Sequence, residues 1–110
     1  MVIKEILEKS DALFAEGKHQ EAAAFLEGKA VLAQNQDEWK VELSIINELM
    51  GYYRGISQLS KAWDYAFRAI QITEENAVGD SAEGITTYLN VANVYRAAGK
   101  PKEALSLYQQ

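Results

Sequence analysis

Laid against itself, the chain falls into register three times. Leu13, Tyr53 and Tyr95 share one column, and Gly17, Ser57 and Gly99 another. Ala22, Ala62 and Ala104 form a third, Ile3, Leu43 and Ile85 a fourth, and Ile6, Ile46 and Tyr88 a fifth. The offset is 40 residues and then 42 in every column. Five columns that agree on one register mark an internal repeat of one supersecondary unit. Units of this size cannot bury their apolar faces alone and gain a core by stacking on their neighbours.

Each unit reads as a pair of helices. The chain has a single proline, Pro101, and only seven glycines, and it is rich in Ala, Glu, Leu and Lys, a composition that favours an all-α fold. Ile3, Ile6, Leu7, Ser10, Leu13 and Phe14 recur at helical spacing and define a first helix that ends near Gly17. Glycine occupies the left-handed position after a helix without strain, which fits Gly17 and Gly99 as stops. A second helix is expected from Glu21 to about Ala33, with Asn35 or Asp37 as the N-cap of a long third one. The third carries Trp39, Leu43, Ile46, Leu49, Met50 and Tyr53 inward, and Ser57 is placed to break it. A fourth holds Leu59, Ala62, Trp63, Ala66, Phe67 and Ile70. Residues 76–81 read as a loop. Asp80, three residues before Glu83, has the spacing of a capping box for a fifth helix that runs to Ala98. Pro101 is then expected at the start of a sixth, a favoured place for proline.

The columns resemble the tetratricopeptide repeat, whose pattern places a large residue, a Leu-Gly pair, a tyrosine and then Ala-x-x-x-aromatic at fixed offsets. The third unit is the most similar, with Tyr88, Val91, Ala92, Tyr95, Gly99, Ala104 and Tyr108 at the matching positions. The second offers Ile46, Leu49, Met50, Tyr53, Ala62 and Ala66. In the first, the stretch from Ser10 to Lys18 is family-like. The period exceeds the usual ~34 residues, and this longer unit is similar to the repeats of kinesin light chains and of bacterial peptide-sensing regulators. The resemblance spans residues 1–110 and implies an all-α solenoid of antiparallel helix pairs wound into a right-handed superhelix. Its repeats would be about 3–36, 43–76 and 85–110, the last one truncated. A stop at Gln110, in mid-helix, leads us to expect an N-terminal piece of a longer repeat protein.

Composition closes off several kinds of chemistry. The chain has no cysteine and one histidine, so disulfides, thiolate metal sites and cysteine nucleophiles are excluded. His19, placed in the first turn, has no serine nucleophile or metal partner nearby and reads as a turn residue. Glu5, Glu8 and Asp11 follow one another at helical spacing and read as a solvated face. Asp80 and Glu83 lack the alternating oxygens of a calcium loop. Trp39 and Trp63 read as core. The net charge is −5 with no basic stripe, which argues against nucleic acid and against anionic membrane surfaces. No apolar run approaches the ~20 residues of a membrane span. The expectation is a cytoplasmic protein that is not an enzyme and needs no cofactor or metal.

What remains is a surface for binding other proteins. In the family the first helix of each pair lines a concave groove. The resemblance carries that groove onto Lys4, Leu7, Glu8, Asp11, Phe14 and Ala15 in the first repeat, onto Ser44, Asn47, Glu48, Gly51, Arg54 and Gly55 in the second, and onto Thr86, Leu89, Asn90, Asn93, Arg96 and Ala97 in the third. Arg54 and Arg96 share a column. Asn47, Asn90 and Asn93 stand in helix interiors, where propensity gives no reason for them. Asparagine offers a donor and an acceptor to an extended backbone, and arginine offers a two-pronged donor to a carboxylate. These five residues are the candidate peptide-binding set, and Gly51, Gly55 and Ala97 would leave a ligand room. In the alternative, the asparagines bond to adjacent helices and the arginines pair with acids such as Glu48. Asp11 stands where a chaperone-tail clamp needs asparagine, so capture of a chaperone's C-terminal carboxylate is not expected. The leading function is a scaffold that binds a peptide or helix of a protein partner. The alternatives are homodimer formation through apolar surface at Val94, Leu105 and Tyr108, and a regulatory or sensor module of a larger bacterial protein.

Overall fold

The computed structural model describes residues 1–99, and they are all-α. Five helices follow one another: α1 (Ile3–Ala15), α2 (His19–Asn35), α3 (Trp39–Gly55), α4 (Leu59–Glu75) and α5 (Ala82–Ala97). The expected sixth helix, with Pro101, Ala104, Leu105 and Tyr108, lies outside the described residues. The chain divides into two compact units, one to Leu49 and one from Met50, so α3 contributes to both.

One device makes the reversals between helices. Gly17, Asp37, Ser57 and Ala77 all have positive φ, between 53° and 77°, and they stand at 20-residue intervals along the chain. At each, the N–H of the following residue bonds back over the turn: Lys18 to Leu13, Glu38 to Ala33, Gln58 to Tyr53 and Val78 to Thr73, at 2.9 to 3.2 Å. The N–H of the left-handed residue itself reaches the carbonyl three residues earlier, Gly17 to Phe14 and Asp37 to Gln34 for example. This paired bonding is the Schellman motif, which satisfies carbonyls that a helix end would otherwise leave bare. Gly99 ends α5 at φ 80°, with its N–H reaching the Arg96 carbonyl at 3.1 Å.

Two expected caps are corrected here. Asn35 is the last residue of α2, and Asp37 is the left-handed residue after it rather than an N-cap. At α5 the cap is Ser81, not Asp80. Its Oγ accepts from the Gly84 N–H at 3.0 Å and donates to the Val78 carbonyl at 2.6 Å. Glu83 therefore sits too early in the helix to close a capping box. His19 opens α2 rather than lying in the turn, and its ring meets Phe14 edge-on at 5.7 Å.

In the first unit α1 packs along α2, as a three-residue turn between antiparallel helices requires. Ile6, Leu26, Ile45, Ile46 and Leu49 supply its bulk and Ala22, Ala23, Ala30 and Ala33 its close approach. The Met1 ammonium reaches the Glu38 carboxylate at 2.7 Å, tying the start of α1 to the turn before α3. In the second unit α4 packs along α5. Ala62, Ala66 and Ala69 on α4 are fully buried, as are Val91, Ala92 and Val94 on α5. Ala22 on α2 and Ala62 on α4, which share a sequence column, are both fully buried. Buried hydroxyls return to their own helices, Thr73 to the Ala69 carbonyl and Thr87 to the Glu83 carbonyl, both at 2.8 Å.

The tryptophans, expected in the core, are half-buried. Trp63 lies 4.5 Å from Tyr95, centroid to centroid, and 5.6 Å from Phe67, which is itself 56% exposed. Trp39 has the Lys40 ammonium 5.7 Å from its ring.

Candidate functional site

The candidate residues divide between the two units. Asn47 belongs to the first, and Arg54, Asn90, Asn93 and Arg96 to the second. In the second unit, α4 fixes the level of both arginines. Tyr53, near the end of α3, stacks on Tyr65 of α4 at 6.0 Å with its ring plane only 8° off parallel, and the Lys61 ammonium lies 4.9 Å from its centroid. Tyr95, near the end of α5, packs on Trp63 of α4. Arg54 and Arg96 each follow the tyrosine so anchored. One residue along a helix is a turn of about 100°, enough to carry both guanidinium groups off α4 and into solvent, and both residues are exposed. The two arginines that share a column in the sequence thus share exposure and a tyrosine neighbour that packs on α4.

The asparagines are in a different state. Asn47, Asn90 and Asn93 are half-buried, and all three are already engaged within the protein. Asn93 accepts from the Arg96 guanidinium at 3.3 Å, one turn along α5. Each amide is thus already partnered within the protein. Arg54 makes no ion pair among the described residues, so the pairing with Glu48 considered above does not form. Around Arg54 the α3 surface is open, because a Cβ added at Gly51 or Gly55 would meet nothing within 4 Å.

The first unit carries the opposite charge on its helix faces. Glu5, Glu8 and Asp11 are exposed, as expected, and Glu8 has only Lys4 at 4.0 Å. Across from α1, Glu48 of α3 faces Asp11, a partner that spacing along one helix could not reveal. Partial burial, and then the Asp11 charge, push the Glu48 carboxyl above its ordinary value. A raised carboxyl contributes most to stability when protonated, and loses that contribution as the pH climbs through its folded value. Glu48→Gln should therefore raise the urea midpoint at pH 7, and the gain should close as the pH falls through the raised Glu48 value to the ordinary carboxylate range, where the wild-type carboxyl is protonated in both folded and unfolded chains. Equal midpoints at neutral pH would count against the like-charge contact.

The apolar surface expected for homodimer formation is not supported at the one described position. Val94 is fully buried, because α5 turns it inward, while Leu105 and Tyr108 lie outside the described residues. No helix among the described residues is long and apolar enough to cross a membrane. No protein family, curated protein or solved structure matches the chain.

Proposed function

We propose that the chain is a non-catalytic, cytoplasmic interaction scaffold of the tetratricopeptide-repeat type. In this reading its helix pairs continue a right-handed solenoid, and the concave face binds an extended peptide of a partner that carries a carboxylate. The observation that carries it is the repeated arginine. Arg54 and Arg96 are exposed, each stands one residue past a tyrosine that packs on α4, and the surface beside Arg54 is opened by Gly51 and Gly55. Exposed arginines with a repeat-wide address suit a ligand that is itself extended, because each unit can then meet one segment of it. Asn90 and Asn93 steady the α5 side of that face, and the guanidinium fork supplies paired donors to a carboxylate.

The test is capture on an array of acidic nonapeptides at low ionic strength. Arg54→Ala with Arg96→Ala should weaken retention roughly tenfold to a hundredfold, as loss of charge-assisted hydrogen bonds does. Both side chains are exposed, so the unfolding midpoint should stay within about 0.5 kcal/mol of wild type. Retention that survives the double change would exclude this face as the binding surface.

A further inference from the structure

The α5 face that presents Arg96 also exposes two large aliphatic side chains. Ile85 is 53% and Leu89 47% exposed, although Leu43, which shares the Ile85 column, is 2% exposed. At about 100° per residue, Leu89 lies some 40° around the helix from Ile85, and Arg96 some 20° from Leu89. The three therefore form one strip along α5, which has Asn93 beside it. The one carboxylate of α5, Glu83, lies off this strip. A purely apolar cover would strand the Arg96 guanidinium away from water, which is costly, whereas a cover that brings a carboxylate neutralises it.

Resting on the acidic-peptide reading above, we propose that the bound segment carries an apolar side chain three residues from its carboxylate. The apolar side chain lies on Leu89 and Ile85, and the carboxylate on Arg96. The spacing follows from the helix. Seven residues at 1.5 Å each separate Leu89 from Arg96 by about 10.5 Å. An extended chain covers this distance in three residues at ~3.3–3.6 Å each. Leucine, isoleucine and methionine suit the apolar place, because the strip offers width without a closed pocket.

The probes are fluorescein-labelled nine-residue Ala/Ser peptides with one Glu and one Leu at separations of one to five, read by anisotropy. Affinity should peak at a separation of three, about tenfold above the peptide without leucine. Leu89→Ser should remove that advantage and leave the glutamate-dependent part intact, and Leu89→Met should retain it. Affinity that is flat across the separations, or an advantage that survives Leu89→Ser, overturns the proposal while the acid-binding reading stands. If Leu89→Ser abolishes self-association and leaves peptide affinity unchanged, the strip covers a second copy instead and the proposal fails. No glutamate-dependent binding at all overturns the acid-binding reading, and this proposal with it.

Discussion

Gly84→Ala should destabilise the protein by about 3 kcal/mol, the upper part of the range for forcing atoms into filled space. A Cβ at this position would collide with the Val78 carbonyl oxygen and stand 2.9 Å from the Gly79 Cα. Both obstacles are backbone, so no side chain can swing aside. The Val78 carbonyl also has two donors to keep, the Ser81 hydroxyl at 2.6 Å and the Ser81 N–H at 3.1 Å. Moving it disturbs the cap that Ser81 places on the Gly84 N–H, a contact worth about 1 kcal/mol by itself. In a domain of this size the loss should appear as a drop in Tm of roughly 15 °C. Ser81→Ala, which removes the hydroxyl and adds no bulk, should cost about a third as much. A Gly84→Ala protein that melts with the wild type would mean that the loop yields freely and that the close approach has no structural weight.

This contact lies where the repeat changes length. Three reversals take three residues each, but α4 and α5 are joined by six, Asn76–Ser81, and α5 is one residue shorter than α4. Together these give the two extra residues that turn an offset of 40 into 42. Gly79 and Gly84 let the longer loop fold down, with Tyr88 lying against Gly79 at 3.4 Å from where its Cβ would be. Partial burial, and then the negative charges of Glu74 and Asp80, hold the Tyr88 hydroxyl above its ordinary value.

The helices were legible because apolar spacing survives in the sequence, and their ends were less so. The second helix runs two residues beyond its expected span at each end, over His19, Gln20, Gln34 and Asn35, which carry no apolar signal. Gly17, Ser57 and Gly99 were recognisable as breakers by residue type. Asp37 and Ala77 were not: an aspartate before a helix also suits an N-cap, and alanine carries no breaker signal, so the helix pairing alone imposes the left-handed region on Ala77. The arginine column was readable from register alone. The charge repulsion between Glu48 and Asp11, the packing of Trp63 on Tyr95 and the exposed strip on α5 join residues by how helices are rotated, and spacing along the chain does not encode that rotation.

The left-handed positions make the opposite prediction to Gly84. An L-residue held at positive φ bears a cost of roughly 1–2 kcal/mol, and glycine escapes it while losing about 0.5–1 kcal/mol of chain entropy. Ala77, at φ 53°, has no polar atom to recover the difference, so Ala77→Gly should stabilise by about 1 kcal/mol. Ser57→Gly should follow closely at φ 61°. Asp37→Gly should gain less, because aspartate tolerates this region better than most residues. The three turns share no hydrogen bond, so the effects should add to about 2 kcal/mol, or about 10 °C in Tm. Gly17→Ala puts the same strain where none exists, at φ 77°, and should lose about 1 kcal/mol. The paired outcome is what tests the shared turn. If glycine at 37, 57 and 77 lowers Tm while Gly17→Ala leaves it unchanged, the reversals are not one device repeated, and each would need its own explanation.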